Sequence, residues 1–317
     1  MTERARSIAV ALATYHRPAN LVRLVPSILE QFDDVARTFE ERAEFRVIIV
    51  DNDPQGSGRE TALATGDSRV TYVIESSPGV TSARNRALRE AGDCDFLVFI
   101  DDDEIPQDGW LVNLLTAQKR YRADVVSGPV HSVFEGPLDP WVEASDAYLR
   151  AHRADTKTGE PIKRAATNNL LLDMRRLREF GVTFDERFGL TGGEDSFFTG
   201  QLHQAGAKMV WCAEAVVDDL VPLSRANRDY NLRRRYSLSN ASGRVDILLA
   251  SRGLPRVRRR VVCAARGVGQ ILYGAALTAS GVVGRSLKRR AYGERFVVGG
   301  AGALAASLAV AAEPYRR

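Results

Sequence analysis

Phe96-Leu97-Val98-Phe99-Ile100-Asp101-Asp102-Asp103-Glu104 sets five apolar residues directly before four carboxylates. An unbroken apolar run of this length marks a strand buried on both faces. Such strands build α/β sheets whose ligands gather beyond the strands' carboxyl ends, so Asp101, Asp102 and Asp103 stand where a ligand is expected. Four adjacent carboxylates repel one another unless something positive joins them. A hard divalent cation that also holds a diphosphate meets that need, because Mg²⁺ takes one or two protein carboxylates and completes its shell with phosphate oxygens and water. The competing reading is an acidic helix start, since Asp and Glu favour helix N-termini.

Working outward, the same pattern repeats. Ser7 to Thr14 reads as a first strand, and Pro18 then opens a helix whose apolar residues Leu21, Leu24, Val25, Ile28 and Leu29 share one face. Phe45 to Val50 and Val70 to Ile74 are further strands. Thr81 or Ser82 can cap a helix that continues through Glu90. After the acidic stretch come a helix from about Pro106 to Tyr121 and a strand within Asp124 to Gly128. Strands alternating with helices predict a Rossmann-like, doubly wound α/β fold with a mainly parallel sheet. From Pro129 to Arg164 prolines and glycines loosen the pattern. Asn168 and Asn169 then lead into Leu170-Leu171-Leu172, Arg175 to Phe180 reads as a short helix, Glu194 to Ala205 as another, and Met209 to Trp211 as a strand.

The chain has 317 residues, enough for one large domain with an appendage. Its three cysteines have no CxxC spacing, so neither a disulfide framework nor a zinc site is suggested and a reducing compartment fits. The four histidines are scattered without metal-ligand spacing. The first residues faintly imitate a secretory signal, but the apolar stretch ends at Tyr15-His16-Arg17-Pro18 without a cleavage pattern and reads as a strand. Net charge is +4, very unevenly distributed: residues 252 to 317 hold thirteen Arg or Lys against two Glu, and the remainder holds 31 basic against 38 acidic residues. An acidic body is joined to a basic tail.

Three segments lie on the same strand-to-helix side as the acidic stretch: Thr14 and Arg17, Asp51 and Asn52, and Arg84 with Asn85. Asp51 suits a nucleobase N–H, and Arg84 suits a phosphate through its bidentate fork; a turn cap and a solvated helix face are the alternatives. A second carboxylate cluster, Gly192-Gly193-Glu194-Asp195, follows about 90 residues later. If an acceptor hydroxyl attacks a sugar carbon while a diphosphate leaves, a positioned carboxylate must take the hydroxyl proton. The glycines give the backbone room, and the helix beginning there aims its dipole at a ligand.

Together these residues resemble family 2 glycosyltransferases of the GT-A fold, in the bacterial exopolysaccharide branch typified by succinoglycan glucosyltransferases. The matching pieces are Ala-Thr-Tyr-His-Arg-Pro (13 to 18), Val-Asp-Asn (50 to 52), Ala-Arg-Asn (83 to 85), Phe-Ile-Asp-Asp-Asp-Glu (99 to 104), Thr-Asn-Asn (167 to 169), Gly-Gly-Glu-Asp (192 to 195) and Trp211 with Glu214-Ala-Val, in order over about residues 7 to 240. The resemblance implies a DxD motif of Asp101 and Asp103 holding Mg²⁺ or Mn²⁺, with Asp103 the direct ligand and Asp101 nearer the ribose or a metal-bound water. Asp195 would be the base of an inverting displacement, and Glu194 would contact acceptor or donor sugar. Thr14, Arg17, Asp51, Arg84, Asp101 and Asp102 would line the nucleotide-sugar site, Asp102 and Glu104 serving as supporting charges. Processive relatives carry a Gln-x-x-Arg-Trp segment, of which Asn231-Leu-Arg-Arg-Arg-Tyr236 is a loose relative. Arg234 or Arg235 would clamp the diphosphate, and the missing Gln and Trp favour transfer of a single sugar. The expected activity is transfer from a UDP-hexose to a saccharide acceptor on a polyprenyl-diphosphate carrier, at the cytoplasmic face of the plasma membrane.

Domain limits of 1–245 for the catalytic body and 246–317 for the tail follow. In the tail, Ile271 to Val283 and Phe296 to Ala312 are uncharged Gly- and Ala-rich runs flanked by Arg and Lys. Both fall short of the roughly twenty apolar residues of a spanning helix. Helices lying in the membrane interface, arginines toward anionic lipid, fit better than spanning ones, with a soluble helical hairpin as the alternative. A nucleotidyltransferase would want a glycine-rich loop after the first strand, and Thr14 to Pro18 has no glycine. Nucleic-acid binding has only the basic tail in its favour, and that tail lacks interleaved aromatics.

Overall fold

The computed structural model describes residues 6–39, 43–149 and 155–312. It divides into two compact units: unit 1 takes the described residues of Met1–Val133, Ala151–Gly189 and Phe198–Leu220, and unit 2 those of Phe134–Arg150, Leu190–Phe197 and Val221–Arg317. The units interleave along the chain.

Unit 1 is built on a seven-stranded sheet of β1 (Arg6–Thr14), β2 (Ala43–Asp51), β3 (Val70–Ile74), β4 (Phe96–Ile100), β6 (Val125–Ser127), β8 (Asn169–Asp173) and β9 (Met209–Trp211), ordered β3-β2-β1-β4-β8-β6-β9. β1 pairs in parallel with β2 and β4, and β2 with β3. β8 runs antiparallel to both β4 and β6, so the sheet is mainly parallel, as expected, with one reversed strand inside it. The strands are apolar on both faces because both are covered. Val10, Leu12, Val47 and Ile49 face α1 (Pro18–Phe39) and α4 (Trp110–Tyr121), whereas Ala9, Ala11, Ile48, Val50, Leu97 and Phe99 face α3 (Val80–Glu90), α6 (Met174–Phe180) and Phe198.

Two local expectations are corrected. α3 starts at Val80 with Gly79 as its cap and no capping side chain, so neither Thr81 nor Ser82 has that role. Gly79 has φ 113°, and a Cβ there would lie 3.1 Å from the Gly189 carbonyl; its N–H donates to Asn52 Oδ1 at 2.9 Å. The helix expected from Pro106 begins at Trp110 instead, because Glu104–Pro106 forms β5, an antiparallel partner of β10 (Val217–Val221). β10 also joins β7 (Val130–Phe134) in a three-stranded sheet, which supplies order where prolines suggested little.

Unit 2 is helical: α5 (Pro140–Ser145), the first residues of α7 (Glu194–Gln204), α8 (Arg228–Leu249), α9 (Leu254–Val283) and α10 (Leu287–Ser307). α8 passes residue 245 without a break. α9 and α10 pack through glycines: a Cβ on Gly267 would lie 2.8 Å from the Gly300 carbonyl, and one on Gly274 would lie 2.6 Å from that of Gly293. The two uncharged runs therefore have different fates. Phe296 onward is the inner helix α10, burying Gly299, Gly300, Ala303 and Ala306, while Ile271–Val283 is only the second half of a 30-residue helix, α9, that buries just Gly267, Gly274 and Gly281. The expectation of two interfacial helices thus reduces to one exposed helix.

Candidate active site

In unit 1 the acidic turn leaves β4 at the carboxyl end of the sheet, and its carboxylates have sharply different surroundings. Asp102 turns inward, where Thr14 donates to its Oδ2 at 2.8 Å and Arg17 to its Oδ1 at 2.9 Å. Burial pushes its pKa up, and Arg17 and Thr14 oppose this. Asp103 remains more open and takes a 3.2 Å contact from the same Arg17 guanidinium. Asp101 has the most open side chain of the three, 44% exposed, and meets Arg84 at 3.4 Å. Arg17 itself is pulled down by burial, but Asp102, Asp103 and Asp101 outweigh that and hold it above its ordinary value. Arg84 is buried, with its guanidinium 5.9 Å from the Phe184 ring.

Glu104, read from the sequence as a supporting charge, is the interior brace of this turn. It is 1% exposed, accepts the Asp101 N–H on Oε2 at 3.1 Å and the Asn168 side-chain amide on Oε1 at 2.6 Å. Burial, then the nearby Asp101, Asp103 and Asp219, raise its pKa well above the ordinary carboxylate range, against the Asp101 N–H. The sequence signal for this role was the apolar flank of Glu104 at Ile105-Pro106, which continues inside the protein rather than into a helix.

Asp51, which the sequence suits to a nucleobase N–H, ends β2. It is wholly buried, accepting from Asp53 N–H at 2.9 Å, Gly58 N–H at 2.7 Å and Tyr72 O–H at 2.7 Å. Asp51 therefore ties the loop after β2 to β3. Asn52 acts similarly, donating to the Glu75 and Ser77 carbonyls at 2.8 and 2.7 Å. Asn85 exchanges hydrogen bonds with the Phe184 backbone, both 2.9 Å. These loops frame the sheet edge on which Arg17, Asp101 and Asp103 remain accessible.

In unit 2, Gly192 and Gly193 take φ of 69° and 92°, and a Cβ on Gly193 would press to 3.2 Å from Ala241 and Val245. The backbone can turn there only because both residues lack side chains. Glu194 and Asp195 open α7, Glu194 buried and Asp195 accepting the Ser196 N–H at 2.6 Å. Arg235 lies on α8 with its guanidinium against α10: a Cβ on Gly299 would lie 2.9 Å from its Nε.

For a divalent cation, Asp101 and Asp103 are the fitting ligands, two hard carboxylates on one turn whose remaining coordination a diphosphate would complete. The described residues contain no ready-made group of three or more His, Cys, Asp or Glu for a metal, so such a cation would need its ligand's oxygens.

The sequence model described as Glycosyl transferase family 2 matches residues 9–171. The chain belongs to this family. It is 33% identical over 248 residues to the succinoglycan biosynthesis protein ExoM of Rhizobium meliloti (strain 1021), covering 75% of this chain and 74% of the relative. Solved glycosyltransferases share its GT-A-like α/β fold. S. aureus TarS 1-349, crystallised with UDP-GlcNAc, superposes with TM-score 0.55 at 16% identity over 91% of this chain and 90% of its own. GalNAc-T7, crystallised with UDP, GalNAc and Mn²⁺, gives TM-score 0.53 at 14% identity over 76% of this chain and 51% of its own. Family 2 membership makes the chain a glycosyltransferase and decides against the nucleotidyltransferase reading.

Proposed function

We propose that the chain is an inverting, metal-dependent hexosyltransferase that moves one sugar from a UDP-hexose to a lipid-linked saccharide in cell-surface polysaccharide synthesis. The observation that carries this reading is the acidic turn after β4, where a buried Asp102 is locked by Thr14 and Arg17 so that Asp101 and Asp103 face outward. Preorganised groups of this kind serve catalysis because they need no rearrangement when charge develops. Asp101 and Asp103 would hold the cation, whose chemistry is to offset charge on the departing diphosphate. Arg17 and Arg84 supply further positive charge on that side. The acceptor oxygen attacks the sugar's anomeric carbon, the bond from that carbon to the diphosphate oxygen breaks, and the acceptor proton passes to Asp195. Glu194 positions the sugar hydroxyls. The likeness to ExoM, the UDP-GlcNAc bound by TarS and the UDP and GalNAc bound by GalNAc-T7 support the donor class.

Membrane association is the second part of the reading, placing the chain on the cytoplasmic face of the plasma membrane. α9 is long and apolar enough to cross a membrane by length and composition, and only 17% of its most apolar stretch is buried. Its exposed residues Leu254, Val257, Val261, Val268, Leu272 and Val283 lie along one side of the helix, which Arg258 shares, while Arg256, Arg259, Arg260 and Arg266 point elsewhere around it. A stripe flanked by cations suits a helix lying in an anionic interface. Incubating the purified chain with a panel of nucleotide sugars and Mn²⁺ or Mg²⁺ tests the activity: the reading expects nucleotide diphosphate release that EDTA stops. Release unaffected by EDTA removes the metal, and no turnover of any UDP-sugar with a lipid-linked saccharide acceptor removes the donor assignment.

A further inference from the structure

Arg235 on α8 carries a guanidinium that feels the like charges of Arg266 on α9 and Arg295 on α10. Arg235 is the inner member. Its Nε is buried and makes no hydrogen bond to any described residue. The guanidinium occupies space left by a missing side chain on α10, since a Cβ on Gly299 would lie 2.9 Å from Nε, 3.3 Å from Nη2 and 3.2 Å from the Ser239 hydroxyl one turn along α8. Arg295, one turn before Gly299, is anchored through Nη1 to the Ser145 carbonyl.

Two nearby carboxylates, Glu294 and Asp146, take hydrogen bonds from other residues. Glu294 accepts from Trp141, Arg228 and Arg290. Asp146 accepts from Tyr292 and offsets part of the Arg295 charge. Asp246 and Arg266 both act on Cys263, so Arg266 has a carboxylate in its own neighbourhood. Burial first, then Arg295 and Arg266 among the described residues, lower the Arg235 pKa. A fold gains nothing by gathering like charges and desolvating one of them, whereas planar guanidinium forks match the oxygens of a phosphate.

We infer that Arg235, Arg266 and Arg295, with the Ser239 hydroxyl, form an anion site that takes a phosphate or diphosphate group. This gives Arg235 a ligand other than the donor's diphosphate. The group arrives either on a lipid or free in solution; the lipid source rests on the membrane reading above, and the site itself does not.

Titration calorimetry of the full chain with inorganic pyrophosphate, in EDTA so that the acidic turn has no cation to recruit it, tests the site. Wild type is expected to bind about one pyrophosphate, and Arg235→Met and Arg295→Met to weaken binding at least tenfold. Thermal melting separates this from misfolding: without ligand Arg235→Met should melt no lower than wild type, because it removes a repulsion, and pyrophosphate should raise the melting temperature of wild type alone. No binding by wild type, or equal affinity in both variants, overturns the site. Vesicles of phosphatidylcholine with phosphatidic acid then identify the source. Release of the bound chain by pyrophosphate, lost in Arg235→Met, assigns a lipid phosphate, and sedimentation indifferent to both assigns a soluble one. Val261→Asp in the α9 stripe should abolish sedimentation and leave the pyrophosphate titration unchanged, so the two readings fail separately.

Discussion

Asp102 and Asp103 are neighbours in the chain and opposites in environment, and that division decides what each can do. Asp102, held by Thr14 and Arg17, sets the turn; Asp103, 21% exposed at its side chain, can meet a ligand. Asp103→Ala should therefore lower metal-dependent sugar transfer by about 10²–10³-fold with little effect on stability, as expected when a preorganised electrostatic group is lost. Nucleotide release at saturating Mn²⁺ checks this, and unimpaired turnover would move the metal ligand elsewhere. Asp195→Asn should keep donor affinity while reducing transfer by about 10²–10⁴-fold, the range of a lost general base; donor titration beside a transfer assay reads both. The acidic turn was legible because five apolar residues pointed straight at it. The hydrogen bonds Asp51 accepts from its own loop and Tyr72 were not, since a carboxylate at a strand end looks the same in sequence whatever donors surround it.

Helix α9 shows how an element can be misjudged when charge alone sets its limits. Arginines from Arg256 to Arg266 cut the apolar run short in sequence, but the helix continues through them, because an arginine stem is a good helix former and its head can turn aside. The glycines at Gly267, Gly274 and Gly281, seven apart, were visible as composition; only the partner glycines on α10 show that they make a seam. With that seam occupied, the Leu254 to Val283 stripe has its apolar side outward. Leu272→Asp should lower sedimentation with phosphatidylglycerol vesicles severalfold, and salt should weaken wild-type binding because arginines carry part of it, roughly 1 kcal/mol each near such a surface. Leu304→Ala, on α10, serves as the comparison: sedimentation that falls equally in both variants would locate the lipid contact away from the stripe.

At the scale of the molecule, the sheet was legible and the helical unit was not, for one physical reason. Parallel strands declare themselves locally, each as a short apolar run, whereas unit 2 is assembled from three separate stretches of chain whose contacts are long-range. Glu294 joins two of them: Trp141 of α5 donates to it at 2.9 Å, Arg228 of α8 at 2.8 Å and Arg290 of α10 at 3.0 Å. Burial would raise its pKa, but these three donors outweigh burial and hold it below the ordinary value. The stabilisation therefore belongs to the ionised form. It is fully present above the unfolded value of about 4.3 and is lost as pH falls through the lower folded value. Glu294→Gln keeps the shape and removes the charge, so it should destabilise unit 2 by about 2 kcal/mol at neutral pH, the scale of hydrogen bonds to a charged group. The difference from wild type should shrink as pH falls below about 4.3, where the wild-type carboxyl also becomes neutral. Urea unfolding of both proteins across that interval measures it, and a deficit that stays constant with pH would mean that Glu294 holds the helices by packing and not by charge.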